Sequence, residues 1–369
     1  MPYPQLDRSR LLMKPLRQRR NRLFISRDLI DVSAKPNLTA RAREFIEKCA
    51  ACIRTARRQG RPVIIAFGAH TIKNGLAPVL IKLMEGGWLT HLATNGAGVI
   101  HDWEFAYQGA SGEHVKENVL HGEFGNWQET GYYINLALNI GAYEGKGYGE
   151  SVGAMIQREQ LIVPAVAALR RQAAGFLRTK PDLAAACAEL IPVLKQFKIK
   201  PGIMRIPHPW KSASVQAAAF RLGIPFTGHP MIGHDIIYNH PLNNGALLGR
   251  AALRDFLAFA ASVSRIRNGV YLSIGSAVMS PMIFEKAMSM AQNLALQKGK
   301  RIAGHSIFVV DLSEASWDWH RGEPPESNPA YYQRYNKSFS RMGGALRYLS
   351  ADNRDFLLGL CQRLTARRG

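Results

Sequence analysis

Five polar turns hold the residues that could do chemistry: Gly68–Asn74, Asn95–Asp102, His229–Asp235, Gly275–Ser280 and Asp311–His320. In Asn95-Gly96-Ala97-Gly98 an apolar run stops and an apolar-periodic segment starts at once. Small residues there let backbone N–H groups at a helix start approach a phosphate, because no side chain blocks the way and the helix dipole favours an anion. His70, His101, His229 and His234 sit in these turns beside Asp102 and Asp235, a set suited to general acid–base work. The spacing of His229, His234 and His240 fits no metal-ligand pattern, so no metal site is predicted. The stretch 311–326, DLSEASWDWHRGEPPE, gathers carboxylates and two indoles in an otherwise basic chain. That mixture suits a cationic or amine substrate, through charge pairing and cation–π contact. No G-x-S-x-G, Walker A or H-E-x-x-H motif occurs.

The elements that must carry these turns alternate. PVIIAF, WLTHLAT, IPFTG, GVYLSIG and HSIFVVDL are short apolar runs suited to buried strands, and amphipathic or Ala/Leu-rich segments separate them. At least five strands alternating with helices predict an α/β fold, a doubly wound, mostly parallel, Rossmann-like sheet. All five turns follow strands, so they fall on one sheet edge, where such folds bind ligands. GKGYGE at 145–150 follows a helical segment rather than a strand, so it reads as a loop. Residues 313–345 read as a polar loop before a last helix, and Thr39 to Gln59 as an amphipathic helix closed by Gly60.

Composition bounds the function. The chain has 369 residues, 47% of them hydrophobic, enough for a sizeable core, and no apolar run long enough to span a membrane. With no signal-peptide pattern, a cytoplasmic location is expected. Four cysteines exclude a disulfide framework; Cys49 and Cys52 lie one helical turn apart and read as core residues. The formal charge is +21, with eight Lys or Arg residues among the first 27. The expected division is a basic N-terminal extension over 1–36 and a single α/β domain over 37–369. The extension reads as a solvated arm packed on a neighbouring subunit. Nucleic acid is not the expected partner, because RNP, zinc-finger and interleaved Arg–aromatic patterns are lacking.

In the order of its turns the chain resembles the deoxyhypusine synthase family over residues 60–365. These are NAD-dependent enzymes that move the aminobutyl group of spermidine onto a protein lysine. AFGAHTIKNG resembles a turn of that family that touches NAD, which implies cofactor contacts for Ala69, His70 and Thr71. TNGAGVIHD resembles its Thr-Ala-Gly-Gly-Val-Glu-Glu-Asp stretch, which implies contacts for Asn95, Gly96, Ala97 and Asp102. IGSAVMSPM is similar to its glycine-rich turn, implying Gly275 and Ser276, and DLS implies Asp311 and Ser313. GHDIIYNHP places Asp235 where the family has an active-site aspartate. The family is tetrameric, so the resemblance implies a homo-oligomer, a dimer or tetramer.

The departures fall on the substrate half. Ile100 and His101 replace two glutamates, Pro281-Met282 replaces paired histidines, and Arg341 stands where the family has its imine-forming lysine. Arginine stays protonated and forms no imine. The resulting expectation is an NAD-dependent enzyme with an altered reaction on a small amine or amino-acid-derived substrate. His101 or His234 would be the general base, and Asp235, Glu314, Asp318 and Glu323 would hold the cation. One alternative is a true deoxyhypusine or homospermidine synthase-type transferase using Lys337. The other is a non-catalytic binding protein whose basic arm meets nucleic acid.

Overall fold

A computed structural model describes residues 3–314 and 317–366. Its centre is a six-stranded, fully parallel sheet. The strands are β1 (Val63–Phe67), β2 (His91–Asn95), β3 (Phe226–His229), β4 (Val270–Ile274), β5 (Ser306–Asp311) and β6 (Ala345–Ser350). Their spatial order is β6-β5-β4-β1-β2-β3. That is the doubly wound order in which the winding reverses between β1 and β4, and ligands bind beyond the strand C-termini at such a reversal.

The order follows from residue type. Val63–Phe67 is buried at every position, so both faces of the strand must be covered. Val63, Ile65 and Phe67 join one core with helices α1 (Ala40–Arg58), α2 (Gly96–Gln108), α3 (Val215–Leu222) and α6 (Asn353–Thr365). Ile64 and Ala66 join the other, with α4 (Gly245–Val263) and α5 (Met279–Leu296). The period-two alternation of the strand thus feeds two layers of helices. Cys49 is buried in the first core and none of the four cysteines is disulfide-bonded.

Three elements differ from the sequence expectation. The region 313–345 contains a short helix at Arg334–Ser340, and the sixth strand, Ala345–Ser350, begins at its end. This strand lies at the sheet edge and is buried only in part, so its sequence, ALRYLS, lacks a continuous apolar run. Within 145–150 the turn gives way at Tyr148 to a helix running to Arg158. Two small antiparallel pairs, Gln160–Val163 with Gly202–Arg205 and Leu23–Phe24 with Ala110–Ser111, lie outside the main sheet.

The N-terminal residues pack on this same body, which corrects the picture of a solvated arm. Leu16 is buried in the first core. Arg19 is 5% exposed and makes two hydrogen bonds of 2.7 Å to Glu104 on α2. Arg8 donates to the carbonyls of Tyr238 and Asn243. A guanidinium buried against a carboxylate is part of the interior, whatever the charge of its neighbours in sequence.

Candidate functional site

A cavity of about 450 Å³ opens at the C-terminal edge of the sheet, beyond β1, β2 and β3. That size suits a small organic ligand. Its walls come from the turn after β1, the start of α2, the turn after β3 and the N-terminal residues.

Helix α2 supplies the floor. Ala97, Ile100, His101 and Glu104 recur at i, i+3, i+4 and i+7, so they share one face, and all four line the cavity. Asn95 caps the helix by accepting a hydrogen bond from the Gly98 N–H at 2.9 Å. Asp102 points the other way. It accepts from the Ser214 hydroxyl, the Gln216 side chain and the backbone N–H groups of Val215 and Gln216, at 2.6–3.1 Å. It therefore holds the start of α3, and burial pushes its carboxyl above the ordinary value against those four bonds.

Asp235 lies over the small-residue turn. A Cβ built on Gly96 would meet Asp235 Oδ2 at 1.9 Å, so only glycine allows the carboxylate to approach. The protein's own acid thus occupies the place beside the α2 N-terminus where the sequence suggested a phosphate. Burial pushes Asp235 up to about 7, opposed by one bond from the Ile237 N–H at 3.2 Å. This group exchanges a proton near neutrality.

His101 is positioned by a relay. The Ser111 hydroxyl donates to Glu104 Oε2 at 2.5 Å, and Ser111 Oγ lies 2.7 Å from His101 Nδ1. With the hydroxyl proton directed at the carboxylate, Ser111 accepts from Nδ1–H, which assigns the tautomer with a lone pair on Nε2. Burial holds His101 down at about 4, so the ring is neutral at pH 7. Glu104 itself is fixed by Arg19, Thr130 and Ser111. Burial alone would raise its carboxyl, but the Arg19 guanidinium outweighs that and holds it below the ordinary value.

Cations line the cavity beside these acids. Lys73 is half-buried, and burial, with Arg22 nearby, lowers its ammonium from the usual lysine range. Burial and Lys73 lower His70 in the same way. His234 is an exposed part of the rim. Glu113 accepts from Asn118, Trp127 Nε1 and the Gly125 N–H and is held by the protein.

The remaining predicted residues lie elsewhere. Ala69 starts a short helix after Gly68, and Thr71 is buried, with its hydroxyl 3.4 Å from Asn353 Nδ2. Asp311 forms a local turn with Ser313 at the end of β5. Glu314 is exposed there. Asp318 lines a separate cleft with Arg41, Lys48 and Arg347. Glu323 bonds Arg341 at 2.7 and 2.8 Å and pairs with Lys337 at 3.0 Å, and the Lys337 ammonium also sits 3.2 Å from the Tyr331 ring centre. Burial opposes protonation of Lys337, but Tyr331 and Glu323 outweigh it and raise the amine. Neither Lys337 nor any of these four acids lines the cavity. Sequence reasoning passed over Arg19, Arg22, Glu104 and Glu113 as site residues; for Glu104 the helical spacing from Ala97 and His101 carried the signal.

At the winding reversal the turns after β1 and β4 touch. A Cβ on Gly68 would fall 2.1 Å from the Gly275 carbonyl oxygen, and Gly275 has φ of +54°. Ser276 Oγ accepts from the Ser280 N–H, while Ala277 and Val278 are exposed at the start of the 18-residue α5. This second helix start carries no carboxylate in its first turn, unlike α2 with Asp235 against it.

No protein family and no curated protein sequence matches this chain. Among solved structures it is similar to ArgZ, an arginine dihydrolase from the ornithine-ammonia cycle in cyanobacteria, at 16% identity and a TM-score of 0.38, over 87% of this chain and 32% of that one. It is similar to a putative LOR/SDH protein from Methanococcus maripaludis S2 at 13% identity and a TM-score of 0.45, over 90% of this chain and 71% of that one. It is also similar to AgrE in its ternary complex with ornithine and NAD+, at 14% identity and a TM-score of 0.41, over 90% of this chain and 34% of that one. The chain spans about a third of the length of ArgZ and AgrE.

Proposed function

We propose that this protein is an NAD-dependent enzyme that acts on a small zwitterionic amine, of the amino-acid type, bound in the cavity at the C-terminal sheet edge. The observation that carries the reading is a single cavity lined by Asp235, which lies against Gly96 at the start of α2, and by His101, Arg22 and Lys73. Acidic and cationic side chains around one small cavity suit a substrate that carries both an ammonium and a carboxylate.

The strand order supports a dinucleotide across the β1/β4 reversal. The exposed Ala277–Val278 turn, at the start of α5, suits a pyrophosphate. When bound, the nicotinamide supplies a hydride acceptor. The chain's own groups do the rest. Ionised Asp235 holds the ammonium and takes a proton from it as the amine carbon is oxidised. His101 Nε2 accepts a hydrogen bond from a substrate N–H, because its partner nitrogen is committed to Ser111. Arg22 and Lys73 pair with the carboxylate end.

Aminobutyl transfer through Lys337 is a weaker reading, because Lys337 is held by Glu323 and Tyr331 outside the cavity. The test is turnover. With NAD+ and a panel of basic amino acids and diamines, reduced-nicotinamide absorbance is expected to grow with the wild-type protein, and Asp235→Asn is expected to lower kcat/KM by a hundredfold or more, on the order of 3 kcal/mol. No turnover with any of these substrates, or an Asp235→Asn variant as active as the wild type, contradicts the assignment.

A further inference from the structure

A second cavity, of about 460 Å³, lies at the opposite edge of the sheet, where the strands begin. Three helix-to-strand connections converge on it. The end of α1 brings Arg57 and Arg61, the turn between α4 and β4 brings Arg265 and Arg267, and the connection from α5 to β5 brings Lys300 and Arg301. Among the described residues no carboxylate lines it. Among the described residues none of these six cations is ion-paired.

Part of the wall is fixed. Arg57 donates to the Gly87 carbonyl at 2.7 Å and to the Arg61 carbonyl at 3.1 Å. Arg61 Nε is buried and has no hydrogen-bond partner. Buried donors are normally satisfied, so an unpartnered guanidinium nitrogen in a concave wall with six cations and no carboxylate is a donor open to an incoming acceptor. Six like charges on three connections also repel one another, and a bound multivalent anion relieves that more than scattered monovalent ions do.

We infer that this cavity is a binding site for a small, multivalent, phosphate-bearing anion, distinct from the site at the C-terminal edge. Guanidinium groups match phosphate oxygens in pairs, and the concave volume suits a small molecule better than a duplex.

The test uses inorganic tripolyphosphate as the probe, titrated calorimetrically into the full chain at low and at physiological salt. Binding is expected, and it is expected to weaken as salt rises. Arg267→Glu/Arg301→Glu changes two exposed residues of the wall and is expected to weaken binding at least tenfold. Arg170→Glu/Arg171→Glu, on the exposed face of the Val166–Phe176 helix, makes the same change in net charge and is expected to bind as the wild type does. Unfolding temperatures of both variants confirm that each is folded. Absence of binding overturns the proposal, as does equal weakening in both variants, which would mean net charge alone. An RNA or DNA oligonucleotide that binds tightly and is not displaced by tripolyphosphate also overturns it, in favour of a nucleic-acid surface. NAD+ also carries a pyrophosphate, so tripolyphosphate is titrated into Ala277→Glu as well; equal binding there and in the wild type separates this site from the cofactor edge.

Discussion

Replacing Arg19 by Met leaves the Glu104 carboxylate buried without its cation. Both side chains of the pair are 1% exposed, and the two bonds are 2.7 Å each. Methionine keeps most of the aliphatic volume, so the change is chiefly electrostatic. Breaking a buried pair from one side costs about 3–5 kcal/mol, because the remaining charge is uncompensated. The bonds from Thr130 and Ser111 stay and place the cost toward the lower end.

The pH dependence gives a second signature. In the wild type Glu104 is held below its ordinary value of 4.5, so its contribution is present above that value and is lost as pH falls through the lower, folded-state value. In Arg19→Met the folded-state value rises above 4.5. The variant's deficit then shrinks as pH falls toward 5, by up to about 1.4 kcal/mol per pH unit. Urea unfolding followed by circular dichroism at pH 8 and pH 5 reads both quantities. The double variant Arg19→Met/Glu104→Gln is expected to regain at least about 2 kcal/mol over the single variant, since no buried charge remains. A loss under about 1 kcal/mol with no pH dependence, or a double variant no better than the single, refutes the view that the N-terminal residues are tied into the core by this pair.

Two further outcomes are expected. Gly96→Ala sets a Cβ 1.9 Å from Asp235 Oδ2, so the carboxylate must move; unfolding should show a cost of about 1–3 kcal/mol, and the acid limb near pH 7 should disappear from the turnover profile. His91 and His229 are joined through Thr227 and held by burial at about 3, against an ordinary 6.5, so both are neutral when folded. Their lowered values mean that stability is full above pH 6.5 and falls as pH drops from there toward 3. The slope approaches about 2.7 kcal/mol per pH unit where both unfolded-state histidines are charged. His91→Gln/His229→Gln should flatten that acid limb in a denaturant titration across pH.

The strands of the sheet interior were legible because each is a short apolar run bounded by glycine or a polar turn, as in VIIAF before Gly68. Once they were placed in parallel, the shared edge for His70, His101, His234 and Asp235 followed, and all four line one cavity. Edge strand Ala345–Ser350 was missed because only three of its six residues are buried, which leaves no continuous apolar run. Arg19 was missed for a different reason. Its partner Glu104 is 85 positions away, and nothing local separates it from the exposed Arg17 and Arg20. Asp102 shows the limit of matching turns by position. It sits one residue past His101 yet on another face of α2, committed to capping α3, while Glu104, two residues on, returns to the cavity.

The most direct test of the account is calorimetric titration of NAD+ into the wild-type protein and into Ala277→Glu. Position 277 is exposed in the turn before α5, so the substitution leaves the core intact while placing an anion where the pyrophosphate would lie. Saturable binding by the wild type at or below millimolar cofactor is expected, weakened at least tenfold in the variant. No binding at millimolar NAD+, or equal binding by the two proteins, contradicts it.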